Sequence, residues 1–232
     1  MNPLEIAEIA GRSLLVGAVA TALIIPPGLA LAWLLARRDF RGRALVQTLL
    51  ALPLVLPPTA IGLLLLLLLS PQQPWAAWLH ALLGGNPLFT WRAAVIASAF
   101  MGAPLLVRTA ETAFAAVEPA YEQLASMLGA STLRVFFSVT LPLAARGVAY
   151  AILLAFLRGV GEFGATSLIA GNIPGETETL ALAIYSRAQN HADRDALLLA
   201  LVAVGIALLA TWLGERLLRP ATRPHAPPLA SD

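Results

Sequence analysis

The chain has 232 residues, of which 59% are hydrophobic and only 12% charged, with a mean hydropathy of +0.79. A soluble domain carries about a quarter charged residues, so the composition excludes a water-soluble fold and makes the bilayer the solvent. The net charge is +2 and every cation is an arginine, dispersed between apolar runs, which excludes a nucleic-acid footprint. Without cysteine there is no disulfide, thiol catalysis or Cys-ligated metal. His80, His191 and His225 stand far apart in no ligand-like spacing, so no metal is expected.

Glu5 and Glu8 precede the first apolar run where a signal peptide would be basic, so that run is expected to stay as a membrane span. Ser13–Ala36 is long enough to cross about 30 Å of hydrocarbon and ends in the basic stretch Arg37-Arg38-Asp39-Phe40-Arg41-Gly42-Arg43. Gln47–Ser70 is the second expected span. Pro53, Pro57 and Pro58 interrupt its backbone bonding and read either as gating kinks or as static bends. Trp91–Ala116 is the third, with its uncharged part confined between Arg92 and Arg108. Either its ends snorkel or the helix runs on with Arg108 and Glu111 in one polar face. Arg146–Ala170 is the fourth and Ala196–Leu218 the fifth. The runs are continuous rather than alternating, which predicts an all-α integral membrane protein of about five transmembrane helices and no barrel.

Arginine placement sets the direction. With the loop after the first span inside, nine arginines (37, 38, 41, 43, 134, 146, 216, 219 and 223) face the cytoplasm and four (12, 92, 187 and 194) the outside. The N-terminus is therefore expected outside and the C-terminus inside, with Trp75, Trp78 and Trp91 at the outer interface. Residues 1–218 form the membrane domain, and 219–232, rich in Pro and Ala, read as a disordered cytoplasmic tail.

The loop 118–142 between the third and fourth spans carries the most information. Pro119 suits a first helical turn, Tyr121–Leu128 continues it with Leu124 and Leu128 on one face, and Gly129 stops it in a left-handed conformation. Ser131 can cap a second helix from Thr132, and Pro142 is expected to break the chain before the fourth span. The product is a helix–Gly–helix elbow with exposed apolar residues, a surface that invites a protein partner.

This loop resembles the permease subunits of binding-protein-dependent ABC importers, whose signature is Glu-Ala-Ala, three residues, Gly, nine residues and Ile-x-Leu-Pro. Aligned on Gly129, the chain offers Gln123-Leu124-Ala125, then Gly129, then Val139-Thr140-Leu141-Pro142; Gln123 stands for the Glu and Leu124 for the first Ala. Blocks 52–62, 133–137, 158–166 and 171–177 resemble molybdate importer permeases in particular, with tungstate and sulfate permeases sharing parts of the pattern. The resemblance implies a type I ABC importer permease bundle acting as a homodimer in a bacterial inner membrane. Glu122, Gln123, Leu124, Ala125, Leu128, Gly129, Ala130 and Ser131 would form the elbow that docks on cytoplasmic ATP-binding subunits. ATP-Mg would sit on those partners, and a periplasmic binding protein would deliver the oxyanion. No cofactor and no catalysis are implied for the chain itself, which has no Gly-Lys-Ser/Thr phosphate loop because it has no lysine.

Arg158 and Glu162, four apart within the fourth span, read two ways: as pathway or dimer-interface groups, or as a pair that neutralises itself. Gly28, Gly62, Gly159, Gly161 and Gly164 are expected to let helices approach closely, and 171–175 to form a turn on the outer side. Two rivals from other classes are a stand-alone secondary transporter, which would show internal repeats, and a membrane scaffold, which would need no elbow.

Overall fold

The computed structural model describes residues 1–218, whose regular structure is all helical. The expected tail 219–232 lies outside the described residues. Among the described residues four helices are long and apolar enough to cross a membrane, and a pair bent by 112° is apolar enough to count as a fifth span if its two halves are taken together.

The first helix, α1 (Pro3–Arg37), starts ten residues before the apolar run because Asn2 caps it, its Oδ1 accepting from Leu4 N at 3.2 Å, and Pro3 occupies a first-turn position that needs no donor. Pro26 and Pro27 lie inside it without ending it. The second span is two helices, α2 (Arg43–Val55) and α3 (Pro58–Leu69), bent by 112°. Leu56 and Pro57 make the break: the residue before a proline is driven extended, and Leu56 sits at ψ 147°. Of the three prolines, Pro53 is carried inside α2, Pro57 forms the corner and Pro58 opens α3.

After the short α4 (Ala76–Leu82), α5 (Trp91–Ala115) runs unbroken through the centre, capped by Thr90, whose Oγ1 accepts from Arg92 N at 3.3 Å. It packs along α1 on one side and, on another, along α8 (Leu141–Val160). Between them stand α6 (Pro119–Met127), α7 (Thr132–Val135) and a π-helical turn (Phe136–Thr140). The turn corrects the expectation for Pro142, which does not break the chain. The N–H of Leu141 reaches back five residues to Phe136 O, Pro142 falls in the first turn of α8, and one helical rod runs from Thr132 to Val160.

The fourth span also departs from expectation. The helix stops at Val160 rather than running to Ala170, and the chain restarts as α9 (Gly164–Ile169). Glu162 accounts for the restart: its carboxylate is buried, accepts from Ala165 N at 2.8 Å in the first turn of α9, and pairs with Arg158 at 2.6 Å. The two residues thus share no helical face, since Glu162 lies beyond the helix, yet their side chains meet in an ion pair. This break lies against the other one: a Cβ on Gly164 would stand 2.7 Å from Pro58 Cβ. The described residues end with α10 (Leu180–Gln189) and α11 (Asp193–Leu218), and the rest of the chain leaves the apolar span of α11 almost wholly uncovered.

The buried core is made of small residues. Ala93, Ala94, Ala97, Ala110, Ala151 and Ala155 are fully enclosed, with Val16, Met101, Leu106 and Phe114 filling between them. Ile9, Leu180, Ala183 and Leu199 form a smaller cluster where α1, α10 and α11 meet. Four of the expected glycine contacts exist: Gly28 faces Leu106, Gly62 faces the backbone of Ala165, Gly159 faces Ser98 and Gly17, and Gly164 faces Pro58. Gly161 is different, touching only Leu157 O of its own helix, and so serves the break rather than packing.

Two outcomes follow from this packing. Gly62→Val places a side chain 2.8 Å from Ala165 Cα, an overpacking that costs ~1–3 kcal/mol and is read as a lower thermal-unfolding midpoint in detergent. Arg158→Gln leaves Glu162 without its partner and should lower the yield of folded protein, while adding Glu162→Gln recovers part of it. Equal yields for the single and double variants would show that the pair does not hold the break.

Candidate functional site

The elbow forms because each of its three joints has its own local signal. Glu118 is extended and Pro119 enters the first turn of α6. At the other end the N–H of Gly129 bonds Ser126 O at 3.0 Å and that of Ala130 bonds Ala125 O at 3.1 Å, a Schellman turn with Gly129 at φ +84°. Ser131 then caps the second arm, its Oγ accepting from Arg134 N at 3.4 Å, with Val135 N bonding Ser131 O at 2.9 Å. Helix, left-handed Gly and capped second helix all stand where the residue pattern places them.

No residue of α6 is buried within the chain. Met127 and Leu128 are 84% and 89% exposed, and Leu124 and Leu133 are exposed beside them. Gln123 also faces outward, whereas Ala125 and Ala130 are half-buried on the inner side of the turn. The knob therefore presents a cluster of exposed apolar side chains, the kind of surface that a partner covers.

The inner side of α6 is anchored by Glu122. Its Oε1 accepts from Arg37 Nε at 3.0 Å, lies 2.9 Å from Arg37 NH2 and accepts from the Thr140 hydroxyl at 2.6 Å. Arg37 also donates to Val117 O at 2.9 Å. One carboxylate thus joins the end of α1, the elbow and the π-helical turn, with both charged partners largely withdrawn from solvent. Arg37 and Thr140 were not among the residues singled out from sequence. Glu122 and Arg37 stand 85 positions apart, and nothing local marks the pairing.

A second polar cluster resolves the third span. Arg108 and Glu111 lie at the elbow-side end of α5, where Gln47 of α2 donates to Glu111 at 3.0 Å and Arg108 donates to Gln47 O at 3.0 Å. Arg43 and Arg108 each approach Glu111 to 3.6 Å. The helix runs on with a polar face held by α2.

Arg158, Glu162 and the three prolines do not join the elbow; they belong to the two helix breaks. At the end opposite the elbow, Arg12 donates to Glu178 O at 3.2 Å and Gly175 O at 2.8 Å, fastening the expected turn 171–175 to α1. Arg187 pairs with Glu178 at 2.9 Å and Glu5 at 3.0 Å. Burial works against its charge, but the two carboxylates outweigh that and hold its pKa above the ordinary arginine value.

The chain is similar to known proteins in sequence and in fold. Residues 28–221 match the family described as binding-protein-dependent transport system inner membrane component. The molybdenum transport system permease protein ModB of Escherichia coli (strain K12) is 40% identical over 208 residues, covering 89% of this chain and 91% of that protein. The sulfate transport system permease protein CysT of the same organism is 37% identical over 182 residues, covering 78% of this chain and 65% of that protein. In fold, the chain matches the MetNI methionine ABC transporter in an inward-facing conformation with a TM-score of 0.72 at 16% identity, covering 96% of this chain and 100% of that one. An all-helical bundle of this fold, sequence similarity along most of its length and an elbow at the expected position together place the chain in the family of binding-protein-dependent transport system inner membrane components.

Proposed function

We propose that the chain is the membrane-spanning subunit of an ATP-driven importer that moves molybdate into the cytoplasm. The observation that carries this reading is the anchored elbow: a knob with exposed Met127 and Leu128 that is tied by Glu122 to two other parts of the bundle. Such a knob suits a cytoplasmic ATP-binding subunit, which would cover its apolar residues and move it as ATP binds and is hydrolysed. ATP-Mg belongs to that partner. The anion follows the relatives: the similarity to the molybdenum permease spans 91% of that protein, against 65% for the sulfate permease. Tungstate and sulfate are the competing cargoes.

Two copies of the chain would enclose the pathway on a two-fold axis. The arginine distribution supports an orientation with the elbow and C-terminus in the cytoplasm, the N-terminus in the periplasm, and the whole in a bacterial inner membrane. A periplasmic oxyanion-binding protein would then dock at the end bearing turn 171–175. Motion of the elbow would pass to α1 through Arg37 and to α8 through Thr140.

Reconstitution with the ATP-binding subunits and the binding protein tests the reading by competition among labelled molybdate, tungstate and sulfate; preferred uptake of sulfate would displace molybdate as the cargo. Gly129→Val forces a β-branched residue to φ +84°, at ~1–2 kcal/mol or more. It should abolish ATP-driven uptake while the protein still inserts in the membrane. Leu128→Asp should lose the ATP-binding subunit on co-purification, and normal uptake by both variants would remove the elbow from the mechanism.

A further inference from the structure

On the elbow-side half of the bundle, between α5 and α8, lies an open cavity of about 870 Å3 whose lining includes Arg108, Thr109, Thr112, Arg146 and Tyr150. Two other cavities differ in kind. One is walled by Ile25, Trp33, Phe136 and Phe137, the other by Leu157, Ile184 and Ile206, and both are apolar. In a chain with 12% charged residues, two guanidiniums and three hydroxyls around one space make a polar recess suited to a wet anion.

The state of each group narrows the ligand. Arg158 does not line this cavity, and its guanidinium closes on Glu162 at 2.6 Å. Arg108 is held by one hydrogen bond to Gln47 O, while its approach to Glu111, at 3.6 Å, is too long for a hydrogen bond, and its side chain is 39% exposed. It can therefore turn donors toward a ligand without giving up its anchor. Arg146 lines the same wall while holding an interaction of its own within the chain. The Thr112 hydroxyl is spent on Arg108 O at 3.1 Å, which leaves Thr109 and Tyr150 as the hydroxyl donors. Glu111 beside Arg108 offsets part of the positive field, so an anion is attracted without being trapped, as conduction requires.

We infer that this cavity is a low-affinity station for a tetrahedral oxyanion dianion, with Arg108 and Arg146 as its charge partners and Thr109 and Tyr150 as hydrogen-bond donors. The guanidinium fork suits the paired oxygens of such an anion. The inference deepens the importer reading and rests on it. An anionic lipid headgroup shares the chemistry, and the test separates the two.

The assembled, unaltered importer in phosphatidylcholine nanodiscs is treated with phenylglyoxal, and labelling of each arginine is quantified by mass spectrometry. Millimolar tungstate should slow labelling of Arg108 and Arg146 about threefold relative to chloride at equal ionic strength, and leave Arg92 unchanged. In reconstituted uptake, the double variant Arg108→Gln/Arg146→Gln should lose about tenfold in rate, and the corresponding double Lys variant should recover part of it. Absence of protection by tungstate overturns the station, as does protection by phosphatidylglycerol alone or uptake by the Gln variant within about twofold of the unaltered protein. If the Gln variant does not assemble, the labelling of the unaltered protein decides. Failure of the unaltered importer to take up any of the three oxyanions would instead strike the importer reading.

Discussion

Helices in lipid gain little from being apolar, because the surrounding chains are apolar too; they associate by touching closely. That constraint governs the whole bundle. Along α5 the contact surfaces are alanines and Gly102, whose Cβ would meet Ala155 O at 3.1 Å. Across from it Gly147 leaves room for Ala113, since an added Cβ would stand 2.5 Å from that methyl. Only with α1, α5 and α8 this close can a single side chain such as Glu122 reach both the end of α1 and the foot of α8.

Close packing admits only small hydroxyls to the seams, as where Ser98 donates to Gly159 O at 3.0 Å, so the charged groups collect at the breaks and at the ends. The corner between α2 and α3 and the gap between α8 and α9 meet at Pro58 and Gly164. Each break frees backbone donors and acceptors that lipid cannot satisfy, and at the second one Glu162 supplies the missing acceptor for Ala165. The same economy holds at the ends, where Glu111, Glu122 and Glu178 each bond to groups from other helices. The charges in this bundle fasten elements that apolar contact alone would leave free to slide.

The elbow was legible because its determinants are local: Pro119, Gly129 and Ser131 act within a turn or two of themselves, and each does what its chemistry dictates. The spans were legible as apolar runs. The end of the fourth was not, because apart from Glu162, Thr166 and Ser167 the stretch from Val160 to Ala170 carries no polar side chain, while the helix stops on a capping interaction. Pro142 misled for a related reason. A proline disrupts a helix only if the preceding turn cannot widen, and here it widens. The tie from Glu122 to Arg37 depends on a fold already formed, and no reading of neighbours along the chain reveals it.

That widened turn has a mechanical meaning. A hinge at Pro142 would have let the outer arm of the elbow swing while α8 stayed still. Instead, the stretch from Thr132 to Val160 is a single stiff strut of 29 residues, about 40 Å long at the usual helical rise. On the proposed function, a push on its foot would be carried to its head, beside Arg158 and the gap that Glu162 bridges. The geometry is that of a pushrod, with its far end at the break between α8 and α9, which lies against the one between α2 and α3.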